Sequence, residues 1–156
     1  MGVESKYLQD YRQMERADFV HFMNVQVRWG DADALGHINN TLYGRYYESS
    51  RLDYFEKLMG MHFTRELTSG VILADMKIAY LKQLHYPTEI EIGSRISRMG
   101  NSSLDFEAAV FIKDSEDLIS TSRATLVWFD YKADKNKSIP DDKRKMINDY
   151  ERIPPA

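Results

Sequence analysis

The 156-residue chain has no cysteine, so it cannot form disulfides, use a thiolate nucleophile or bind zinc through sulfur. No apolar run approaches the ~20 residues needed to span a bilayer, and the opening MGVESKYLQDYRQMERADF lacks the apolar core of a secretory signal. The net charge of -3 gives no overall field that attracts nucleic acid or an anionic membrane. These absences predict a cytoplasmic protein with neither nucleic acid nor membrane as a partner.

The hydrophobic content of 43% is enough for one packed domain. We predict an N-terminal helical arm over 1–18 and a single domain over 19–156. Residues 22–29 (FMNVQVRW) alternate with a period of two, which predicts a strand. The next apolar set recurs at three- and four-residue steps and predicts a long helix ending at Gly60; its members are Tyr43, Tyr47, Ser50, Tyr54 and Leu58.

Four further strands are predicted after this helix, at 70–84, 88–100, 102–114 and 118–132. Their connections are short, so neighbouring strands should be antiparallel. The sequence therefore predicts an α+β fold in which a five-stranded antiparallel sheet wraps one long helix. Val110, Val127 and Trp128 cannot all face the same side of the sheet, and a second subunit is the expected cover for the surplus.

The segment GDADALGHINN, between the first strand and the helix, carries more polar groups than a turn needs. Helix capping and turn formation explain part of this excess of polar groups. Asn39 and Asn40 are good helix N-caps, and Gly36 permits a positive φ. Asp31 and Asp33 would lie near the positive end of the helix dipole.

A metal site is a second interpretation of this segment. Asp31, Asp33 and Gly36 match three positions of a calcium-binding EF-hand loop, but Leu35 stands where an oxygen ligand is required. Asp31, Asp33 and His37 can in principle hold a transition metal, yet the spacing supplies no fourth ligand. We therefore predict neither a metal nor a cofactor.

Acyl-transfer chemistry is a third interpretation. The unpaired N–H groups at a helix N-terminus can polarise a carbonyl oxygen and stabilise the oxyanion formed on attack. A carboxylate just upstream can attack the carbonyl carbon or take a proton from water. A thioester suits such a site, because its thiolate leaves without strong protonation.

The stretch VRWGDADALGHINNTLYGRYYESSR, residues 27–51, resembles the signature of the 4-hydroxybenzoyl-CoA thioesterase family of hotdog-fold proteins. The shared pattern is D-x-D-x-x-G-H-x-N-N-x-x-Y, followed on the helix by Glu48 and Arg51. AYLKQLHYPTEIEI and RMGNSSLDFEAAV also resemble the family, and the resemblance covers about residues 20 to 145.

The resemblance implies a hotdog fold that forms homodimers by joining two sheets, often with dimers paired into homotetramers. It places the active site at the subunit interface, at the N-terminal end of the helix. Asp33 takes the catalytic position, as a nucleophile or as the base for water. The backbone N–H around Asn40 holds the thioester carbonyl, with Gly36 allowing the turn. Asn39 is a further substrate-binding candidate in the loop. Tyr43 is a candidate for the wall of an acyl pocket, with packing in the core as the alternative.

His37 is a second catalytic candidate, because a neutral imidazole near an aspartate can steer water or the departing thiolate. Plant acyl-carrier thioesterases with a similar signature use a histidine at the matching position. They carry an Asn two residues earlier, where this chain has Leu35. A structural role for His37, as a hydrogen-bonding group within the loop, is therefore the alternative.

Asp75 is a candidate from the second predicted strand, because some members of the broader family use an acid there across the dimer. The alternative is that a strand edge or water satisfies this carboxylate. Arg95, Arg98 and Arg123 are candidates for contacts with the phosphates of CoA. The remaining histidines, His21, His62 and His85, have no spacing that suggests chemistry and are predicted to be structural.

The resulting hypothesis is an acyl-CoA thioesterase that hydrolyses an acyl thioester to the free acid and the CoA thiol. Its expected partners are an acyl-CoA or acyl-carrier-protein substrate and further copies of itself, as a dimer or tetramer. The alternative is a non-hydrolytic hotdog protein that binds acyl thioesters or an acyl carrier protein.

Overall fold

The computed structural model describes residues 10–156 of the chain. The helices and strands are β1 (His21–Gln26), α1 (Thr41–Met59), β2 (Ser69–Tyr80), β3 (Glu89–Met99), β4 (Ser103–Ile112), β5 (Leu118–Asp130), β6 (Lys135–Asn136) and α2 (Asp141–Tyr150). The main strands pair antiparallel in the order β1-β3-β4-β5-β2. This curled five-stranded sheet with α1 packed on it confirms the predicted hotdog fold. The short β6 pairs with β5.

The C-terminal end of the long helix α1 agrees with the sequence prediction. It ends where Gly60 adopts φ 64°, a left-handed conformation that glycine tolerates best, and the Gly60 N–H donates to the Glu56 carbonyl. The tyrosines of the predicted face are in the core, since Tyr43, Tyr47 and Tyr54 are all buried. No helix within residues 10–156 is both long and apolar enough to cross a membrane.

The main core lies between α1 and one face of the sheet, where β3 and β4 contribute alternate residues such as Ile96 and Val110. Trp128 on β5 also belongs to this core, whereas its neighbour Val127 points to the opposite, outer face. The predicted division of apolar side chains between the two faces is therefore correct.

The outer face is partly covered by the chain's own N-terminal segment. Residues 1–9 of the predicted arm lie outside the described residues; residues 10–18 hold a turn and one 3-10 turn at Arg16–Asp18. Met14 and Phe19 are buried against Ala109 and Phe111 on this face. Phe19 rests on Gly93, where an added Cβ would lie 2.7 Å from the Phe19 Cγ atom, so this position requires glycine.

Three arginines predicted to meet CoA phosphates instead pair with carboxylates of the sheet. Arg95 and Arg123 approach Glu107 at 2.8 and 2.5 Å. Arg98 reaches Asp105 at 2.9 Å. These ion pairs join β3, β4 and β5 across the outer face, on the side of the sheet away from α1. The sequence shows the charges but not the cross-strand register that brings them together.

A polar cluster, which we call the α2 anchor (His21, Asp53, Tyr54, Tyr150 and Glu151), fixes the C-terminal segment. His21 lies 2.8 Å from the Tyr150 hydroxyl and 2.9 Å from the Asp53 carboxylate through its two ring nitrogens. Glu151 accepts hydrogen bonds from the Tyr54 hydroxyl at 2.5 Å and the Ile96 N–H at 2.9 Å. Burial raises the pKa of Glu151 to about 7.

Candidate active site

The loop between β1 and α1 folds back on itself in a tight hairpin. Ala32 and Ile38 form an isolated antiparallel bridge, and the Asp33 N–H donates to the His37 carbonyl at 2.7 Å. Gly36, at φ 79°, makes the reversal, as the sequence predicted. The Ile38 N–H donates to the Leu84 carbonyl at 2.7 Å, which ties the hairpin to the β2–β3 connection.

Asp33 lies at the exposed end of this hairpin with its carboxylate held in place. Its Oδ1 atom accepts hydrogen bonds from the Leu35 N–H at 2.8 Å and the His37 N–H at 3.2 Å. Within residues 10–156, no donor engages Oδ2. A cavity of about 410 Å³ opens beside Asp33; its lining residues are Trp29, Gly30, Ala32, Asp33, Ala34, Gly36 and Tyr86. An oriented carboxylate with one open oxygen can act as a nucleophile or a general base.

Asp31, the first aspartate of the motif, has a different environment. Its Oδ2 atom accepts hydrogen bonds from the Tyr46 hydroxyl at 2.8 Å and the Arg28 N–H at 3.1 Å. Burial, followed by this hydrogen bond, raises the pKa of Tyr46 well above its usual range. Asp31 therefore connects the loop to α1, and the second aspartate is the better placed for chemistry.

At the N-terminus of α1, one backbone N–H group, that of Asn40, makes no hydrogen bond to the described residues. Asn39, the residue before the N-cap Asn40, accepts hydrogen bonds at its side-chain oxygen from both the N–H and the hydroxyl of Thr41 at 3.0 Å. The Asn40 N–H has no acceptor among the described residues, and Asn40 itself is exposed. Tyr80 on β2 donates its hydroxyl to the Asn40 carbonyl at 3.2 Å, which fixes the position of this residue.

His37 lies against a histidine that the sequence did not single out. The His37 and His85 rings are 4.7 Å apart in an edge-to-face arrangement, and their backbones form an antiparallel bridge. The two residues are far apart in the chain, so only the β2–β3 connection brings them together. An imidazole pair therefore lies beside the Asp33 loop.

The other predicted site residues lie farther from the loop tip. Tyr43 is 3% exposed and packs edge-to-face with Tyr46 and Tyr80, as core side chains do. Asp75 lies opposite Thr125, whose neighbour Ala124 points into the core, so Asp75 is on the outer face. The chain does not bring Asp75 to its own loop.

No group of three potential metal-ligating side chains occurs within residues 10–156. Asp31 is committed to Tyr46 and Arg28, whereas Asp33 is committed to the backbone of its own hairpin. The two carboxylates of the motif thus serve separate hydrogen-bond networks.

Among solved structures, the chain is similar to a thioesterase complexed with coenzyme A and Zn from Thermus thermophilus. The two are 27% identical with a TM-score of 0.76, and the match covers 86% of this chain and 96% of that one.

Two curated proteins are also similar in sequence. The uncharacterised protein YsmA of Bacillus subtilis (strain 168) is 33% identical over 89 residues, which is 57% of this chain and 59% of that protein. The chloroplastic acyl-acyl carrier protein thioesterase ATL2 of Arabidopsis thaliana is 26% identical over 114 residues, which is 72% of this chain and 60% of that protein. The chain thus spans about three fifths of the length of these relatives.

The family comparison covers the helix α1, the loop before it and the strands β2 to β6. The model of the thioesterase-like superfamily matches residues 27–147. This range begins directly after β1, contains the complete Asp33 hairpin and extends into α2. The fold, the loop geometry and this match agree: the chain belongs to the thioesterase-like superfamily.

Proposed function

We propose that the protein is a thioesterase that hydrolyses an acyl thioester of coenzyme A or of an acyl carrier protein. The observation that carries the proposal is the Asp33 carboxylate, which is exposed, oriented by two backbone N–H groups and open at Oδ2. The unpaired Asn40 N–H at the start of α1 supplies the complementary donor. The coenzyme A complex of the Thermus thermophilus thioesterase and the substrate named for the Arabidopsis relative support this substrate class.

In the proposed reaction, the thioester carbonyl oxygen accepts a hydrogen bond from the Asn40 N–H. The positive end of the α1 dipole favours the negative charge that develops on this oxygen. If Asp33 is the nucleophile, its Oδ2 forms a bond to the carbonyl carbon, the carbon–sulfur bond breaks and a thiolate leaves. Water then hydrolyses the mixed anhydride. If Asp33 is the base, it takes a proton from the water that attacks the carbonyl.

His37 has a secondary part in this proposal. Its imidazole lies beside the hairpin and contacts His85, where it can hydrogen-bond the attacking water or the departing thiolate. Its backbone N–H also donates to Asp33, which gives His37 a structural role that needs no imidazole. A His37→Leu variant retains the second role and loses the first, because the leucine side chain has no hydrogen-bonding group.

The active unit in this proposal is a dimer. The strand β2 has 12 residues at one end of the sheet order, and none of the described residues pairs with its outer edge. Ile72, Leu73 and Tyr80 are exposed large apolar side chains on it. A long exposed apolar edge favours pairing with a second copy about a two-fold axis. Asp75, on this strand, would then be near the interface.

Leu73→Lys tests the dimer. It places a charge on the proposed interface, at a side chain that is 46% exposed in the single chain. We expect sedimentation analysis to show a dimer for the wild type and a monomer for the variant. A wild-type monomer would contradict this arrangement.

The test of activity is the release of free thiol from short, medium, long and aromatic acyl-CoAs and acyl carrier proteins, with Asp33→Asn beside the wild type. Asparagine is a matched control, because its side-chain oxygen can still accept from Leu35 and His37 while it lacks the reactive carboxylate. Turnover that is lost in Asp33→Asn supports the proposal.

A non-hydrolytic binding protein is the second candidate, because the Asp33 hydrogen bonds by themselves explain the hairpin. Binding of acyl thioesters without turnover by the wild type would favour that function.

Water labelled with oxygen-18 distinguishes the two roles of Asp33. In a single turnover, label in the Asp33 carboxylate identifies a nucleophile, because the water has then attacked the anhydride at the aspartyl carbon. A general base leaves the label in the product acid. Mass spectrometry of the peptide that contains Asp33 separates the two outcomes.

A further inference from the structure

Arg51, in the middle of α1, is a buried cation that the proposed reaction does not use. It is 9% exposed, and within residues 10–156 it forms no hydrogen bond and no ion pair. Burial lowers the pKa of its guanidinium, and the charge of Glu48 acts in the opposite direction without direct contact. A charged group taken out of water is costly unless an opposite charge meets it. None of the Arg51 nitrogen atoms is fully closed off, so a further chain can reach them.

The flank of α1 that carries Arg51 faces β2. Four residues recur at steps of four, three and four along the helix and form one stripe: Gly44, Glu48, Arg51 and Phe55. A Cβ atom on Gly44 would lie 3.9 Å from the Met76 Cε atom of β2, which places this stripe on the β2 side. The stripe therefore carries one anion, Glu48, and one cation, Arg51.

The helix α1 and the strand β2 lie side by side and run in opposite directions. The Tyr80 hydroxyl at the end of β2 donates to the Asn40 carbonyl at the start of α1. At the other end, Met61, just after α1, packs on Gly70 near the start of β2. Both elements span about 30 Å between these two contacts, so their middles are level. Arg51 is thus level with the centre of β2.

The edge of β2 joins the two subunits in the proposed dimer, and the present inference rests on that part of the proposed function. A two-fold axis that pairs the full length of β2 with its copy makes the strands antiparallel and passes through the middle of both. It also places the two α1 helices on the same side of the joined sheet, antiparallel and with their middles level. Because Glu48 and Arg51 lie on either side of the middle of α1, each is then opposite the other residue in the second subunit.

We propose that Glu48 of each subunit forms an ion pair with Arg51 of the partner subunit, twice about the two-fold axis. Each chain supplies one anion and one cation, so the interface is self-complementary. Asp75 cannot replace Glu48, because it lies on the outer face of β2, and the inner residues Leu73 and Met76 are apolar.

The ion pair fixes the register of an interface that is otherwise apolar. Apolar contacts are non-directional, so the exposed side chains of β2 favour association more than one particular register. A shifted arrangement leaves Arg51 without an acceptor, which makes it costly. Glu48 keeps its contact with Arg45 of its own helix, since a carboxylate with two oxygens can accept from both arginines.

Charge reversal in two separate chains tests whether the pair crosses the interface. Glu48→Lys and Arg51→Glu each place like charges opposite one another, so we expect each to weaken the dimer at least about 100-fold. Each variant alone should then sediment as a monomer at concentrations where the wild type is a dimer. An equimolar mixture should form a heterodimer, because each subunit meets the opposite charge in its partner. Sedimentation with one variant fluorescently labelled measures both states.

Mixing distinguishes this pair from a contact within one helix. Each variant carries like charges at both positions of its own helix, and no mixture changes that, so a contact within the helix predicts monomers in the mixture. Lys145→Glu and Asp149→Lys are matched controls, because they reverse the charges of an exposed pair on α2. They should leave the dimer unchanged, alone and mixed.

Neutral substitutions give a second measurement that introduces no repulsive charge. Glu48→Gln and Arg51→Met should each raise the dissociation constant of the dimer about ten-fold, the effect of one lost charge-assisted hydrogen bond. If the two residues pair in the dimer, the double variant should be no weaker than either single variant. Independent contributions would instead multiply to about 100-fold.

These outcomes do not depend on catalysis, since sedimentation reports assembly alone. Reversed variants that dimerise as the wild type does, a mixture that stays monomeric, or neutral effects that multiply would overturn the ion pair. A monomeric wild type would overturn the dimer and the ion pair together, while thiol release still tests the thioesterase function. A dimer restored by mixing supports the ion pair even if the wild type hydrolyses none of the thioesters.

Discussion

Two carboxylates near opposite ends of α1 differ in exposure and in the groups that hydrogen-bond to them. Before its N-terminus, Asp33 is exposed and, within residues 10–156, receives hydrogen bonds only from backbone N–H groups of its own loop, two and four residues away. Beside its C-terminal half, Glu151 is 6% exposed and bonds to Tyr54, 97 residues away, and to the backbone of β3.

The difference between these two sites indicates which carboxylate contributes to activity and which to the free energy of folding. Asp33 can be changed with little effect on packing, because the loop holds it from outside the core. Glu151 joins α1, β3 and the C-terminal segment, and its removal leaves buried donors without an acceptor. We therefore expect activity to depend on the first group and stability on the second.

Asp33→Asn should give the largest effect and should change activity alone. We expect a fall in kcat of about 1000-fold, as is typical for loss of a nucleophile or base. The free energy of unfolding should change by less than about 0.5 kcal/mol, since the hairpin hydrogen bonds are retained. Thiol release and urea denaturation measure the two quantities. A large loss of stability would mean that the loop carboxylate belongs to the packed structure after all.

Glu151→Ala should show the converse behaviour. It strands the Tyr54 hydroxyl and the Ile96 N–H in the interior and creates a small void, which together cost about 3 kcal/mol of stability. Once folded, the variant should keep kcat within two-fold of the wild type. Urea denaturation gives the first number and thiol release the second; a kcat that falls with stability intact would link the α2 anchor to catalysis.

The pH dependence of stability sharpens the comparison further. The pKa of Glu151 is about 7 in the folded protein against an ordinary 4.5, so folding favours its protonated form. Its stabilising contribution is complete below about pH 4.5 and is lost as the pH rises through 7. From pH 5 to 8, wild type should therefore lose about 2 kcal/mol relative to Glu151→Gln, which stays neutral.

His21 acts in the opposite direction in this pH range. Burial lowers its pKa, so its contribution is present above the ordinary value of 6.5 and is lost as the pH falls below it. Since both proteins carry His21, the difference between wild type and Glu151→Gln isolates the carboxyl group. Parallel stability curves for the two proteins would contradict the raised pKa.

Tyr80→Phe should give the smallest effect and tests the fixing of Asn40. The variant loses the hydroxyl that donates to the Asn40 carbonyl, so we expect kcat to fall about five-fold with KM unchanged, as for one hydrogen bond of ~1 kcal/mol. Tyr131→Phe is the control, since it loses a similar hydroxyl bond to the Val71 carbonyl away from the loop. Equal kcat values for the two variants would argue against a positioning role for Tyr80.

The sequence predicted the elements whose signals are local. The tyrosine periodicity and Gly60 defined α1, and Gly36 defined the hairpin that presents Asp33. Contacts between distant positions could not be predicted in this way. His85 beside His37 depends on where the β2–β3 connection crosses the loop, and the pairing of Arg95 and Arg123 with Glu107 depends on the register of three strands.

Phe19 on Gly93 has a consequence for how many copies can assemble. A sheet that curls around its helix on one side has its other side free for stacking against a neighbouring dimer. Here the chain places the Phe19 ring on that side, against Gly93, which has no side chain. A back-to-back tetramer would have to remove this intramolecular cover before the two sheets could touch. We therefore expect larger assemblies to form through other surfaces or to stop at two copies.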